Sequence, residues 1–173
     1  FTYFLSLILK WEKFYNMKKQ RICIVGDGLS GLISAIALNN LPNLEVHLIA
    51  KKKKPINDNR ATAMSASNFK FFQDIISKFD KKLFWPSKKI NLFYEARDKK
   101  INFLNFSEDN NLMYVFENNK VKKLLWKEIK KKKIQTIKKN ITKVSDLDAY
   151  DLKILCLGRN SKIYQDIINN RSI

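Results

Sequence analysis

Gly26, Gly28 and Gly31 stand in the stretch RICIVGDGLSGLISAIALNN, residues 21–40, and are three of only four glycines in 173 residues. Their spacing is G-x-G-x-x-G, with Asp27, Leu29 and Ser30 between them. An apolar, β-branched run ends at Val25 and a helical pattern opens at once, the context in which this spacing cradles phosphate. The first glycine permits the tight turn. The second lets a pyrophosphate approach the backbone, and the third lets the helix pack close to the sheet. The helix start adds free N–H groups and the positive end of its dipole. The predicted chemistry is therefore the binding of a dinucleotide.

No group for bond-making stands out elsewhere. His47, the sole histidine, lies in LEVHLIA with no partner at metal-ligand spacing and reads as a packed or edge-strand residue. Cys23 and Cys156 are too few for a disulfide framework and sit in apolar runs, as buried free thiols do. No metal site is expected.

The elements that must position the glycines follow from periodicity. RICIVG reads as a buried strand. Leu29, Leu32, Ile33, Ile36 and Ala37 share one helix face, and Asn39, Asn40 and Pro42 stop that helix. LEVHLIA is the second strand, which completes a βαβ unit and implies a parallel sheet. INDNRATAMSAS reads as a polar loop. A helix follows with Phe72, Ile75, Ile76 and Phe79 on one face, and LFWPSKK breaks it. INLFYEA, INFLNF and LMYVFE then read as a meander joined by turns at RDKK and SEDNN. After Asn119 comes a helix with Val121, Leu124, Leu125 and Ile129 inward. KIQTIKK and ITKV read as short strands and DLKILCLG as a buried one.

One part of the dinucleotide fingerprint is missing. An acidic residue is expected at the end of the second strand to bind a ribose hydroxyl. Ala50 stands there, followed by Lys51. A basic residue suits a 2′-phosphate and hence NADP; an adenosine held by backbone suits the others. On this point NADP, NAD and FAD stay open.

Two further segments carry a resemblance. DNRATAMS, Asp58 to Ser65, resembles the D-x-R-x-x-A-L-S pattern of ubiquinone-biosynthesis hydroxylases, with Met64 for leucine. DLKILCLGRNSKIY resembles the A-D-G-x-x-S-x-x-R segment of the same flavoprotein superfamily. Gly158, Arg159, Asn160 and Ser161 match it, while Leu157 replaces the aspartate and Tyr164 the arginine. Three motifs in order, over about Met17 to Ile173, are similar to the FAD-dependent aromatic monooxygenases of the para-hydroxybenzoate hydroxylase fold.

The resemblance implies a fold class: an α/β, Rossmann-like FAD-binding domain with the start of an inserted antiparallel substrate-domain sheet. It implies FAD-binding segments at 17–89 and 119–173, and the start of the substrate sheet at 90–118. Residues 1–16, ahead of Met17, are read as an upstream segment without a role. It further implies FAD contacts from Arg60, Gly158 and Ser161 and NAD(P)H as electron donor. The implied substrate is a small aromatic, a prenylated phenol of ubiquinone biosynthesis. In that family about half the protein follows the last motif, so the chain is expected to be an N-terminal fragment. Alone it is expected to bind FAD weakly or not at all and to hydroxylate nothing. The readings from other classes are a reductase using FAD or NAD(P), and a non-catalytic basic module binding a nucleotide or a membrane.

The net charge is +18, from 34 Lys+Arg against 16 Asp+Glu. Only five of the 34 are arginine, and the lysines accompany Asn, Ile and Phe, which share A+T-rich codons. Much of the excess is therefore compositional, and solvated lysines are its first reading. No nucleic-acid-binding signature is present, so nucleic acid is not an expected partner. The alternative is peripheral contact with an anionic membrane. FTYFLSLIL is too short to span one. The expected location is cytoplasmic, at the inner membrane surface where such contact occurs.

Overall fold

The structure is a computed structural model, described over residues 19–51, 58–96, 99–158, 161, 163–164 and 167. The readings of residues 1–16, Arg159 and Asn160 lie outside it. The chain divides into two compact units, one formed by residues up to Lys53 together with Lys132–Ile173, the other by Lys54–Lys131.

In the first unit, β1 (Gln20–Val25) leads into α1 (Leu29–Leu38) and β2 (Leu44–Ala50); β8 (Gln135–Lys138) and β9 (Leu152–Leu155) return later. They form one parallel sheet in the order β8-β2-β1-β9. The predicted α/β class and βαβ unit are thus observed. The register sets Ile22 and Ile24 beside Val46 and Leu48, and Cys23 and Val25 beside His47 and Ile49. All eight are buried, because β1 and β2 are covered on both faces. Cys23, Val25, Ile49 and Leu147 form one cluster, with Ile137, Ile141 and Leu155 packed against it.

His47 sits on that second face, 4% exposed in a strand interior to the sheet. Its Nδ1 pairs with the Tyr150 hydroxyl at 2.9 Å and its Nε2 with Glu45 Oε1 at 2.9 Å. Both ring nitrogens are satisfied, as a buried imidazole requires. Tyr150→Phe removes one partner and leaves the ring nitrogen buried. A loss of about 1–3 kcal/mol is expected, measured as a lower urea midpoint; an unchanged midpoint would contradict the pairing.

The second unit holds β3 (Ala61–Ser65), α2 (Ala66–Ile75), β4 (Phe84–Ser87), β5 (Lys89–Ala96), β6 (Lys99–Ser107), β7 (Met113–Glu117) and α3 (Asn118–Lys131). Its sheets are antiparallel: β3-β7-β4, and the separate hairpin β5-β6. The predicted meander is therefore split. Aromatic packing draws β7 away from the hairpin: Tyr114 stacks on Phe69 at 3.6 Å between centroids, and Phe116 meets Phe84 at 5.5 Å.

Three other sequence readings are corrected. The polar loop at 61–65 is β3, an edge strand held by pairing with β7. LFWPSKK contains β4, and its Pro86 is tolerated because β4 is the other edge. ITKV is not a strand: Asp146 Oδ2 accepts from the amides of Thr142 and Lys143 at 3.1 and 3.2 Å and turns the chain into a 3₁₀ helix, Val144–Leu147. The helix predicted around Phe72 starts at Ala66, where Ser65 Oγ caps the Asn68 amide, and ends at Ile75. Phe79 reaches the same aromatic core from beyond its end, 5.2 Å from Phe69.

Candidate functional site

Strand order reverses between β1 and β9, and in such sheets ligands bind beyond the carboxyl ends of the strands at that point. The chain leaves β1 through Gly26, whose N–H donates to Ile49 O at 2.9 Å; on the other side Cys156 N–H donates to Val25 O at 2.8 Å. Gly26 has φ +119°, a conformation glycine adopts without a Cβ penalty. A Cβ there would lie 2.2 Å from the Cys156 carbonyl oxygen. A Cβ on Gly31 would lie 1.9 Å from the Gly26 carbonyl oxygen. Helix, turn and neighbouring strand are in backbone contact through these two glycines.

Gly28 differs. It is the N-cap of α1 with ordinary extended geometry, φ −71° and ψ 176°, and a Cβ there would meet no protein atom within 4 Å. The first helical amides have no intrahelical acceptor, and Gly28 has no side chain to cap them. Gly28 itself lines a cleft of about 580 Å³, within the ~300–1,000 Å³ usual for ligand sites.

The cleft brings together Gly26, Asp27, Gly28, Lys51, Gly158 and Ser161 from the predicted set. Gly158 has φ +74° and open space beside it. Leu29, Ser30 and Gly31 form the first turn of α1 and do not line the cleft. Ala50 is 4% exposed, and its carbonyl accepts from Lys139 N at 3.0 Å. Sequence reasoning missed Lys139, Ile141, Thr142 and Ile163, which also line the cleft. A lysine at the end of KIQTIKK, parallel to Lys51 at the end of β2, was the available signal. Leu157, in the aspartate's place, lines the cleft and packs on the Cys23 cluster. Burial pushes the Cys156 thiol up from its ordinary value, which keeps it protonated.

Arg60 belongs to the second unit. Its Nε and Nη2 donate to Asp58 Oδ1 and Oδ2, each at 2.7 Å, and its side chain is 80% exposed. Asn118 Nδ2 also donates to Asp58 Oδ2 at 2.9 Å, while Asn118 Oδ1 accepts from Thr62 Oγ1 at 2.6 Å. The Arg60 and Asn118 donors hold the Asp58 carboxyl well below the usual carboxylate range. A depressed folded-state pKa adds stability above the unfolded value, about 3.9, that is lost as pH falls below it. The stability gap between the native chain and Asp58→Ala is expected to be constant at neutral pH and to shrink below about pH 4. Urea titrations across pH check this; a gap that widens in acid would contradict it.

Among the described residues no cluster of His, Cys, Asp and Glu could hold a metal, and no helix is long and apolar enough to cross a membrane. No family model matches the chain, and no curated protein matches it by sequence. Solved structures do match. The tetrameric form of 2-methyl-3-hydroxypyridine-5-carboxylic acid oxygenase aligns over 69% of this chain and 31% of its own, with TM-score 0.53 and 13% identity. A tryptophan halogenase from Shewanella frigidimarina aligns over 72% of this chain and 37% of its own, with TM-score 0.53 and 13% identity. MibH, a lathipeptide tryptophan 5-halogenase, gives 72%, 34%, 0.53 and 13%. At such identities the likeness is one of fold, and this chain spans about a third of their length.

Proposed function

We propose that the first unit binds FAD, with its pyrophosphate at the amides of α1 beside Gly28, and that the chain is part of an FAD-dependent aromatic monooxygenase. The observation that carries the reading is Gly28: a helix N-cap without a side chain and with no protein atom where a Cβ would stand, at the switch point of a parallel sheet. Support comes from the DNRATAMS and Gly158–Ser161 segments and from a fold shared with an oxygenase and halogenases acting on aromatic compounds by name. When bound, reduced FAD supplies the oxygen-activating chemistry. The chain's own residues would hold and orient it. The α1 amides face the pyrophosphate, and Lys51 and Lys139 neutralise charge at the cleft rim. Ser161 and Asp27 offer hydrogen bonds. The substrate we assign is a prenylated phenol of ubiquinone biosynthesis, with NAD(P)H as electron donor.

A reductase using NADP is the second reading, favoured by Lys51 and Lys139, which line the cleft next to Ala50, the residue standing where a ribose-binding acid is expected. Saturation-transfer NMR, which detects weak binding, tests both on the 173-residue chain. Transfer to FAD that excess NADP does not displace is expected. Displacement by NADP favours the reductase, and transfer to FAD that Gly28→Val leaves unchanged overturns the site.

A further inference from the structure

The hairpin β5–β6 has one apolar face. Its register places Ile90 opposite Phe106, Leu92 opposite Leu104 and Tyr94 opposite Ile101. A bulge between Leu92 and Phe93 preserves the pattern past Phe103. The alternate positions are Asn91 with Asn105, Phe93 with Asn102 and Glu95 with Lys100, a largely polar second face on which Lys100 Nζ sits 4.4 Å from the Phe93 ring centre. Sheets with this alternation normally pack their apolar face. Here Tyr94 is 61% exposed, Ile101 51% and Phe106 45%. Such a patch marks an interaction surface.

The charge says what covers it. Lys88 and Lys89 stand at the base of the hairpin, Lys99 and Lys100 near its tip, all exposed, in a chain of net charge +18. Two copies would repel through that excess. An anionic lipid surface attracts it, and offers an apolar layer beneath the headgroups for aromatic and aliphatic side chains with a polar face above. Among the described residues the hairpin pairs with no other strand, so its outer backbone groups need water. That places it in the wet headgroup layer and not in the hydrocarbon.

We propose that the β5–β6 hairpin docks the protein on anionic membranes, laying the Ile90–Tyr94–Ile101–Phe106 face into the interface with lysines at both ends on the headgroups. The inference goes beyond the flavin reading and stands without it. The test is flotation of the full chain with vesicles of phosphatidylcholine alone or mixed equally with phosphatidylglycerol. The native chain is expected to float with the anionic vesicles at low salt, and to stay behind with neutral ones. The double variant Tyr94→Ser/Ile101→Ser, at exposed positions that keep the fold by circular dichroism, is expected to bind at least tenfold less. Lys99→Glu/Lys100→Glu is expected to lose binding and its salt dependence together. Equal flotation of the Tyr94/Ile101 variant and the native chain overturns the proposal, as does no flotation at all. A native dimer in lipid-free solution that this variant dissolves also overturns it, and assigns the face to a second copy.

Discussion

Gly26→Ala is expected to destabilise the chain by about 4 kcal/mol, summing ~1–3 for a strained backbone and ~1–3 for overpacking. Both contributions come from one place. The residue sits at φ +119°, and its new Cβ would lie 2.2 Å from the Cys156 carbonyl oxygen. The obstructing atom is backbone in the strand-end ladder, where Cys156 N–H already donates to Val25 O. No side chain can swing aside. With an m-value of ~1–3 kcal/mol per molar urea, the midpoint falls by at least ~1.3 M. Circular dichroism through a urea series measures it. A midpoint within ~0.3 M of the native one would mean that the turn is not built as described.

Gly28→Val is expected to do the reverse: the fold survives and the ligand is lost. The extended φ and ψ at position 28 accept a β-branched residue, and nothing lies within 4 Å of its Cβ. Losing a glycine N-cap costs only about 1 kcal/mol. The added isopropyl group stands where a pyrophosphate would meet the α1 amides. Displacing two hydrogen bonds to a charged group costs ~1.5–3 kcal/mol each, so FAD affinity is expected to fall by about 100-fold or more. Native-like urea unfolding together with loss of saturation transfer is the expected pair of results. Transfer to FAD equal to that of the native chain would remove the pyrophosphate from this cleft.

The contrast between the two glycines shows how far the sequence could be read. The turn, α1 and the strands around them were legible because local signals agree: β-branched runs for buried strands, a 3.6-residue period, and glycines where only glycine fits. The strands β3 and β4 were not. ATAMS buries only Met64, and FWPS contains a proline, so neither carries a strand pattern of its own. Both exist because β7 lies between them, and that pairing is non-local. The cleft was half legible for the same reason. Gly28 and Lys51 belong to the βαβ unit, whereas Lys139 and Thr142 arrive from a strand about 90 residues after β2. ITKV had a strand's composition, but the carboxylate of Asp146 offered its amides a nearer acceptor.

The order of strands also sets the order in which the protein can be built. Arg21 at the start of β1 bonds Asp151, 130 positions later, just before β9. The second unit is one continuous stretch, Lys54–Lys131. At ~5–20 residues per second on the ribosome, that stretch is complete before β9 has been made. Meanwhile β1 can pair with β2 but carries an open edge of Ile22, Ile24 and Val25, the sort of edge that recruits other chains. Only when Leu152–Leu155 arrives does Cys156 close the second side of Gly26. The Gly26 turn, made early in synthesis, thus reaches its observed shape only after β9. Nascent chains stalled before residue 152 should be more prone to aggregate than those released after it.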